Sequence, residues 1–251
     1  MSGDLSPSLV GEDGDAVAVP PAAFEQKFLV TPEIAARVVA WARAGMRPDP
    51  HGDPHAAEGG GSSSSGAYFV TTLYLDTPDF AVFHRAPELH GAKYRIRRYG
   101  AEAVAWLEKK VRTGDRVQKR RVRVELPEIA RLGAPRWFDE EVADLGLAPT
   151  CTVAYRRTAF LGSGDHGPFR LTLDHALEGR ARRAWDLAAA GDPRHALVPD
   201  RVVVELKFRD ALPHLFKQLL AEVGLEPSGF SKYRKTAVAA GLVEARNGTD
   251  G

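Results

Sequence analysis

Short segments in which polar and apolar residues alternate recur along most of this chain. Residues i and i+2 of a strand share a face, so such alternation predicts strands with one buried side. The spacing between the segments is typical of hairpins. The pattern predicts eight strands, at Phe24–Val30, Phe69–Asp76, Lys93–Tyr99, Val104–Arg112, Arg116–Leu126, Cys151–Phe160, Phe169–Asp174 and Arg201–Phe208.

Four other segments have features typical of helices. Thr31 and Pro32 form a favourable helix start, with an N-cap residue followed by proline at the first helical position. Further helices are predicted at Pro135–Asp144, Leu212–Val223 and Ser231–Gly241. Eight strands with hairpin spacing and four helices favour an α+β fold, in which an antiparallel eight-stranded sheet closes into a barrel with flanking helices.

Three segments lack either pattern. Residues 1–20 contain several acidic residues but no basic or aromatic ones, which predicts a disordered acidic tail. Residues 48–66 are rich in Gly, Ser, Pro and His, which predicts a flexible insertion, and residues 246–251 are predicted to fray. A single domain over residues 21–245 accounts for the rest of the chain.

Composition excludes several classes of protein. The 34 Lys and Arg residues balance 33 Asp and Glu residues, so overall charge favours neither nucleic acid nor a membrane surface. The single cysteine, Cys151, excludes a disulfide scaffold and a structural zinc cluster. No apolar run reaches the roughly 18–20 residues of a membrane span, and the acidic start of the chain predicts no signal peptide. These features together predict a cytoplasmic protein.

The polar positions of six predicted strands are almost entirely charged, and the motif Glu-x-Lys occurs three times. On one strand, a charged face is most simply a solvated surface, but solvated strand faces also contain Thr, Ser and Gln. If the charged faces point into the barrel, the interior carries a net charge of +5, which would destabilise an empty barrel through repulsion. The basic positions are Lys27, Lys93, Arg95, Arg97, Lys110, Lys119, Arg121, Arg123, Arg170 and Lys207, and the acidic ones are Glu25, Glu108, Glu125, Asp174 and Glu205.

Such an interior suits a polyanion with several phosphates, because Arg and Lys both recognise phosphate oxygens. Interleaved carboxylates are suitable ligands for Mg²⁺ or Mn²⁺ shared with those oxygens. Nucleic acid is a weaker alternative, because the sequence pattern shows no aromatic residues between the basic ones on the presumed inner face.

The chain resembles the VTC domain, the polyphosphate polymerase domain of the vacuolar transporter chaperone family, which belongs to the triphosphate tunnel metalloenzymes (CYTH-like proteins). The resemblance covers about residues 24–242. The motifs that carry it are Glu25–Phe28, Leu73–Asp79, Lys93–Gly100, Leu107–Lys110, Lys119–Arg121, Tyr155–Ala159, Glu205–Phe208 and Ser231–Tyr233, in the family's order.

The resemblance implies an antiparallel barrel around a basic tunnel that binds ATP and inorganic polyphosphate or triphosphate. It implies Glu205 as the principal Mn²⁺ or Mg²⁺ ligand, with Glu25 and Glu108 as weaker candidates, and Tyr155 and Ser231 as hydroxyl donors. Ser231 is also the predicted N-cap of a helix, where free N–H groups favour an anion. The implied phosphate contacts are Lys27, Arg95, Arg97, Lys110, Lys119, Arg157, Arg170 and Lys232. The predicted phosphate-binding residues also include the other inward-facing basic positions Lys93, Arg121, Arg123 and Lys207. The predicted catalytic set is Lys27, Arg95, Arg97, Lys110 and Glu205.

Two positions depart from related patterns. Hydrolases and cyclases of the superfamily open with Glu-x-Glu-x-Lys, whereas Ala23 stands at the first position here. Gly229 replaces a basic residue of the eukaryotic family motif, so one contact to the chain end is lost. The eukaryotic complex also has membrane domains that are absent from this sequence, so product translocation would need a separate membrane partner.

The sequence therefore predicts a metal-dependent phosphotransferase that moves the γ-phosphate of ATP onto a polyphosphate chain. The same site could hydrolyse tripolyphosphate or a nucleoside triphosphate, with water replacing the chain end. A binding module without turnover is the alternative outside the enzymes. The sequence does not separate these three functions.

Overall fold

A computed structural model describes residues 21–49, 67–131, 137–187 and 194–244. The predicted acidic tail at residues 1–20, the insertion from residue 50 onwards and the C-terminal tail lie outside the described residues. All eight predicted strands are present and form one antiparallel sheet. The strands are β1 (Ala23–Val30), β2 (Arg47–Pro48), β3 (Ala67–Asp76), β4 (Ala92–Tyr99), β5 (Val104–Thr113), β6 (Arg116–Glu125), β7 (Ala148–Gly164), β8 (Gly167–Ala181), β9 (His195–Ala196) and β10 (Val202–Phe208).

The eight longer strands close into a ring, which is called the barrel below. Around the ring the order is β3, β4, β5, β6, β1, β10, β8 and β7, and β7 pairs with β3 to complete it. The predicted closed α+β architecture is therefore confirmed. The two-residue strands β2 and β9, which the sequence pattern did not predict, lie beside β7 and β8.

One seam of the barrel is much shorter than the others. β1 and β6 are joined through only two residue pairs, Ala23 with Val117 and Phe24 with Arg116. Every other neighbouring pair of barrel strands is joined through at least five residue pairs. The remainder of β6 is therefore bonded on the β5 side but not to β1.

Apolar residues of several helices pack against the outside of the barrel. Ile96 and Leu107 face outward from β4 and β5 and share a buried apolar cluster with Phe138. A second cluster joins Phe28 and Phe216. The apolar sides of the strands thus lie beneath the helices, which leaves their charged sides facing the interior. The helices are α1 (Pro32–Gly45), α2 (Ala81–His84), α3 (Trp137–Asp144), α4 (His214–Val223) and α5 (Lys232–Ala239), with short 3₁₀ segments at Pro87–Leu89 and Leu126–Arg131.

Two details of the helices and the insertion follow from local chemistry. Thr31 caps α1 as predicted, because its hydroxyl accepts a hydrogen bond from the Ile34 amide at 3.4 Å. Pro48 and Asp49, which were predicted to belong to the insertion, are instead ordered against β7: Pro48 pairs with Phe160, and the Asp49 amide donates to the Ala159 carbonyl at 2.9 Å.

Among the described residues, no helix is both long enough and apolar enough to cross a membrane.

Candidate active site

The barrel encloses a cavity with about 150 Å³ of solvent-accessible space. Among the described residues, eleven cationic side chains but only two carboxylates line it. The cations are Lys27, Lys93, Arg95, Arg97, Lys110, Arg112, Lys119, Arg157, Arg170, Lys207 and Lys232, and the carboxylates are Glu25 and Glu205.

Strand register brings these side chains together. Directly paired residues of neighbouring strands point to the same side of a sheet. Lys27 pairs with Glu205, and Arg95 pairs with Glu108, which places all four on the inner side. The alternation in the sequence therefore predicted the inward face correctly on both sides of the barrel.

Glu25 is the centre of the first cluster of charges. Its carboxylate contacts the ammonium groups of Lys110 and Lys27 at 2.8 and 2.9 Å. Burial alone would raise the pKa of Glu25, but Lys110 and Lys27 hold it well below its usual range. Glu25 is therefore ionised at neutral pH and fixes two lysines at the wall of the cavity.

Glu108 is the centre of a second cluster and lies behind the lining, with no solvent exposure. One carboxylate oxygen contacts Arg95 at 2.7 Å and Arg97 at 3.8 Å, and the other contacts Lys119 at 3.2 Å. Burial would raise the pKa of Glu108, but Lys119, Arg95 and Arg97 hold it well below its usual range. Both oxygens of this predicted weak metal ligand are therefore occupied by cations.

Asp174 is the centre of a third cluster, which joins the barrel wall to α5. Arg157 donates two hydrogen bonds to the Asp174 carboxylate, at 2.7 and 2.8 Å, and the Lys232 ammonium lies 2.7 Å from it. The strand pattern predicted Asp174 on the inner face, among the interleaved carboxylates suited to a divalent metal. In the structure, it holds two predicted phosphate contacts side by side.

Arg170 is held by two groups that sequence reasoning missed. Its guanidinium donates to the Asp49 carboxylate and, at 2.8 Å, to the Tyr68 hydroxyl. Asp49 and Tyr68 are each only 3% exposed. Arg170 therefore lines the cavity from a fixed position.

Three charged groups of the lining lack such partners. Among the described residues, no carboxylate lies within 4 Å of the ammonium groups of Lys93 and Lys207, and no cation lies within 4 Å of the Glu205 carboxylate. Within the described part of the chain, Lys93 donates only to the Ser231 hydroxyl, at 3.1 Å. These three side chains are consequently available to a ligand without breaking an ion pair.

Two buried hydroxyl groups of the cavity lining, those of Tyr155 and Thr172, also have no hydrogen-bond partner among the residues that the structure describes. Both residues line the cavity, and they are 2% and 3% exposed. Buried polar groups are normally hydrogen-bonded, so hydroxyls left without a partner at a cavity wall suit a ligand with acceptor oxygens. This placement agrees with the predicted donor role of Tyr155, whereas Thr172 had no assigned role.

Ser231 caps α5 as predicted, because its hydroxyl accepts a hydrogen bond from the Arg234 amide at 3.4 Å. Ser231 also lines the cavity. The start of this helix is therefore presented to the interior of the barrel.

Arg121 and Arg123 are predicted phosphate contacts that do not line the cavity. The Arg121 guanidinium lies over the Trp106 ring at 4.1 Å, and Arg123 pairs with Glu125 at 3.2 Å with about half of its side chain exposed. They face the inner side but sit towards the end of β6, beyond the lining. Arg112, which was not predicted as a site residue, lines the cavity instead.

The expectation that no aromatic residues lie among the basic ones was wrong. Tyr74, Tyr99 and Tyr155 line the cavity, and the Lys232 ammonium lies over the Tyr155 ring at 4.8 Å. The rings lie on β3, β4 and β7, at inner positions that the charged pattern did not mark. They form part of the wall against which the cations are packed.

A divalent metal fits this donor set only as an ion shared with a ligand. Among the described residues, no group of three His, Cys, Asp or Glu side chains converges as a metal centre would require. Magnesium is commonly bound by one or two carboxylates together with substrate phosphates and water. Glu205 can supply such a carboxylate, whereas Glu25 would have to be shared with its two lysines.

A second, larger space of about 970 Å³, called the vestibule below, lies beside the cavity. It shares Lys27, Lys93, Arg112 and Ser231 with the cavity lining. Its other walls include apolar residues such as Phe208 and Leu212. A ligand with an anionic end and an uncharged end can therefore be accommodated across the two spaces.

Lys93 is expected to make phosphate binding sensitive to pH. Burial, together with Lys27, Lys110, Arg85 and Arg95, lowers the pKa of Lys93 to about 7. Lys93 is therefore protonated well below pH 7 and neutral well above it. Replacing Lys93 with Met is expected to weaken tripolyphosphate binding about tenfold near pH 6 and hardly at all near pH 9.

Calorimetric titration of parent and variant across this range measures the ratio of their affinities, which cancels the ionisation of tripolyphosphate itself. A ratio that does not change with pH would show that Lys93 does not titrate in contact with the ligand.

A family model of the VTC domain matches residues 22–240 of this chain. Among solved structures, an adenylyl cyclase candidate from Hippeastrum reported to have a dominant triphosphatase activity aligns at 16% identity with a TM-score of 0.49, covering 87% of this chain and 96% of that chain. An adenylate cyclase candidate from Bacillus halodurans aligns at 12% identity with a TM-score of 0.48, covering 83% and 92%. No curated protein sequence matches significantly.

Proposed function

This chain belongs to the VTC domain family, and from that premise we propose that it is a metal-dependent phosphotransferase that extends inorganic polyphosphate with the γ-phosphate of ATP. One observation carries the proposal: a closed barrel whose cavity is lined, among the described residues, by eleven Lys and Arg side chains and two carboxylates. A chain of several phosphates supplies the negative charge that this lining lacks. Arginine and lysine are both suited to phosphate oxygens.

The proposed step is a phosphoryl transfer. An oxygen of the terminal phosphate of the chain attacks the γ-phosphorus of ATP and forms a new P–O bond. The bond between that phosphorus and the β,γ-bridging oxygen breaks, and ADP leaves with the electron pair. Such a transfer needs little covalent chemistry from the protein, so positioning and charge neutralisation do most of the work.

The residues of the cavity would have different roles in this phosphoryl transfer. Lys93 and Lys207 can bind phosphate oxygens without giving up an ion pair. Most of the other predicted contacts are held in place by Glu25, Glu108 and Asp174, and Arg170 is held by Asp49 and Tyr68, so their donors need little reorganisation when the chain binds. Lys27, Arg95, Arg97 and Lys110 remain the proposed catalytic cations, together with the carboxylate of Glu205.

Glu205 would hold Mn²⁺ or Mg²⁺ against the phosphate oxygens. When bound, the metal would neutralise charge on the transferring phosphate. The nucleoside of ATP would lie in the vestibule, where apolar wall and space are available.

Incubation with ATP, a short polyphosphate primer and Mn²⁺, followed by electrophoretic sizing of the phosphate product, tests this function. The expected result is a ladder of chains longer than the primer, with one ADP formed for each phosphate added. AMP in place of ATP is the control and should give no ladder.

Two outcomes would contradict the proposal. Release of orthophosphate without longer chains would identify a hydrolase acting at the same site. Tight primer binding with no ADP formed would identify a binding module.

A further inference from the structure

The start of α5 contributes two groups to the cavity, but no strand pairing fixes it. Residues 225–231, which precede α5, contain neither helix nor strand. The Lys232 ammonium nevertheless contacts the Asp174 carboxylate at 2.7 Å, and the Ser231 hydroxyl accepts a hydrogen bond from the Lys93 ammonium at 3.1 Å. Some other contact must therefore hold this short helix at the correct depth and rotation.

Asp76, at the end of β3, provides such a contact. It is 1% exposed, and its two oxygens accept hydrogen bonds from the backbone amides of Thr77, Val82 and Phe83 at 2.7–2.9 Å. One of these oxygens also accepts a hydrogen bond from the Tyr233 hydroxyl, which is 157 residues away in sequence. A single carboxylate thus joins β3 and α2 to α5.

Further contacts connect α2 and α5 around this carboxylate. Arg234 donates to the Phe83 carbonyl at 2.8 Å, and its guanidinium lies 4.6 Å from the Phe83 ring. The Tyr233 ring packs against Tyr74, which lines the cavity, with 5.3 Å between ring centres. Asp76 and Tyr233 themselves do not line it.

We propose that Asp76 is a positioning residue for phosphate binding and that it acts through Tyr233. The Asp76–Tyr233 hydrogen bond fixes the first turn of α5, so that the neighbouring Ser231 and Lys232 face a bound phosphate chain. This role rests on the proposed function, from which the identity of the ligand as a phosphate chain is taken. It also assigns a role to Asp76 in the motif Leu73–Asp79 and to Tyr233 in the motif Ser231–Tyr233. The phosphate contacts leave both residues unexplained.

Tyr233→Phe tests the role, because it removes one hydroxyl and keeps the packed ring, whereas Asp76→Ala would expose three amides and could prevent folding. Tyr233→Phe is expected to weaken tripolyphosphate binding about fivefold to tenfold, measured by calorimetry at fixed pH and salt. In a Lys232→Ala background, the same change should weaken binding by a clearly smaller factor, since the charged group being positioned is already gone and only the Ser231 hydroxyl remains.

Tyr94→Phe is the matched control. Tyr94 also donates a hydrogen bond to a carboxylate, that of Glu141 at 2.6 Å, but on the outer face of the barrel. Tyr94→Phe should lower the melting temperature while leaving the tripolyphosphate affinity within about twofold of that of the parent.

Equal affinity of Tyr233→Phe and the parent would overturn the positioning role alone. So would an undiminished effect of Tyr233→Phe in the Lys232→Ala background, because the hydroxyl would then serve only the fold. A parent protein that does not bind tripolyphosphate at all would overturn the proposed function and this role together.

Discussion

Glu205→Gln is expected to reduce chain extension about a hundredfold or more, while tripolyphosphate affinity stays within about threefold of the parent. Glu205 is the cavity carboxylate that, within the described residues, has no cation within 4 Å. Glutamine keeps its size but removes the charge that a hard cation needs. Binding persists because the cations of the lining are untouched. Initial rates over a range of Mn²⁺ concentrations, with calorimetry, measure both effects.

Glu125→Gln is the control for this experiment. Glu125 belongs to the same inward-facing series but lies beyond the cavity lining, where half of its side chain is exposed beside Arg123. Its substitution should leave both the rate and the Mn²⁺ dependence unchanged. Parent-like turnover of Glu205→Gln at limiting Mn²⁺ would exclude Glu205 as the metal ligand.

In contrast to Glu205→Gln, Glu108→Gln is expected to cause a large loss of stability, about 3–5 kcal/mol of unfolding free energy. Glu108 is fully buried against Arg95, Arg97 and Lys119, so removing its charge leaves three cations without their carboxylate. Tripolyphosphate should restore part of the loss, about 2.7 kcal/mol at a hundredfold excess over Kd. Chemical denaturation with and without tripolyphosphate measures both quantities.

The pH dependence of that loss has a definite sign. The pKa of Glu108 lies well below its usual value in the folded state, so its stabilisation is complete above the unfolded pKa of about 4.3 and disappears as pH falls through the folded pKa. Parent and Glu108→Gln should therefore differ fully at neutral pH and converge only in strong acid. A variant as stable as the parent at pH 7 would show that Glu108 does not hold the three cations together.

The inner and outer faces of the barrel were predictable because they depend on a period of two residues. Arg95 and Arg97 line the cavity, whereas Ile96 between them is fully buried in the outer apolar cluster. Strand positions were predictable for the same reason. The sequence could not show that Arg123, which has the same parity, lies outside the lining, since this depends on where β6 separates from β1.

The repulsion expected in an empty barrel was derived from a count of charges alone. Counting charges treats the carboxylates as evenly spread, but Glu25, Glu108 and Asp174 each contact two or three cations at close range. This pairing depends on register across strands, which a single sequence does not specify. It also turns Arg95 and Arg97 into parts of a buried ion cluster, so their loss would affect stability as well as binding.

The contacts of Asp76 could not be predicted from the sequence for a different reason. Its partners are three nearby amides and a tyrosine 157 residues away, and neither composition nor alternation records such a contact. The only signal in the sequence was an acidic residue at the end of a predicted strand, immediately before Thr77 and Pro78.

The short seam between β1 and β6 has a consequence for the breathing motions of the wall. Separating these two strands breaks the hydrogen bonds of only two residue pairs, while any other separation breaks those of at least five. The free energy of local opening is lowest where the fewest buried contacts are lost, so β1 and β6 should separate before any other pair of barrel strands. In hydrogen–deuterium exchange, the β6 amides that point towards β1 beyond Val117 should therefore take up deuterium well before those of β10, which is bonded on both sides.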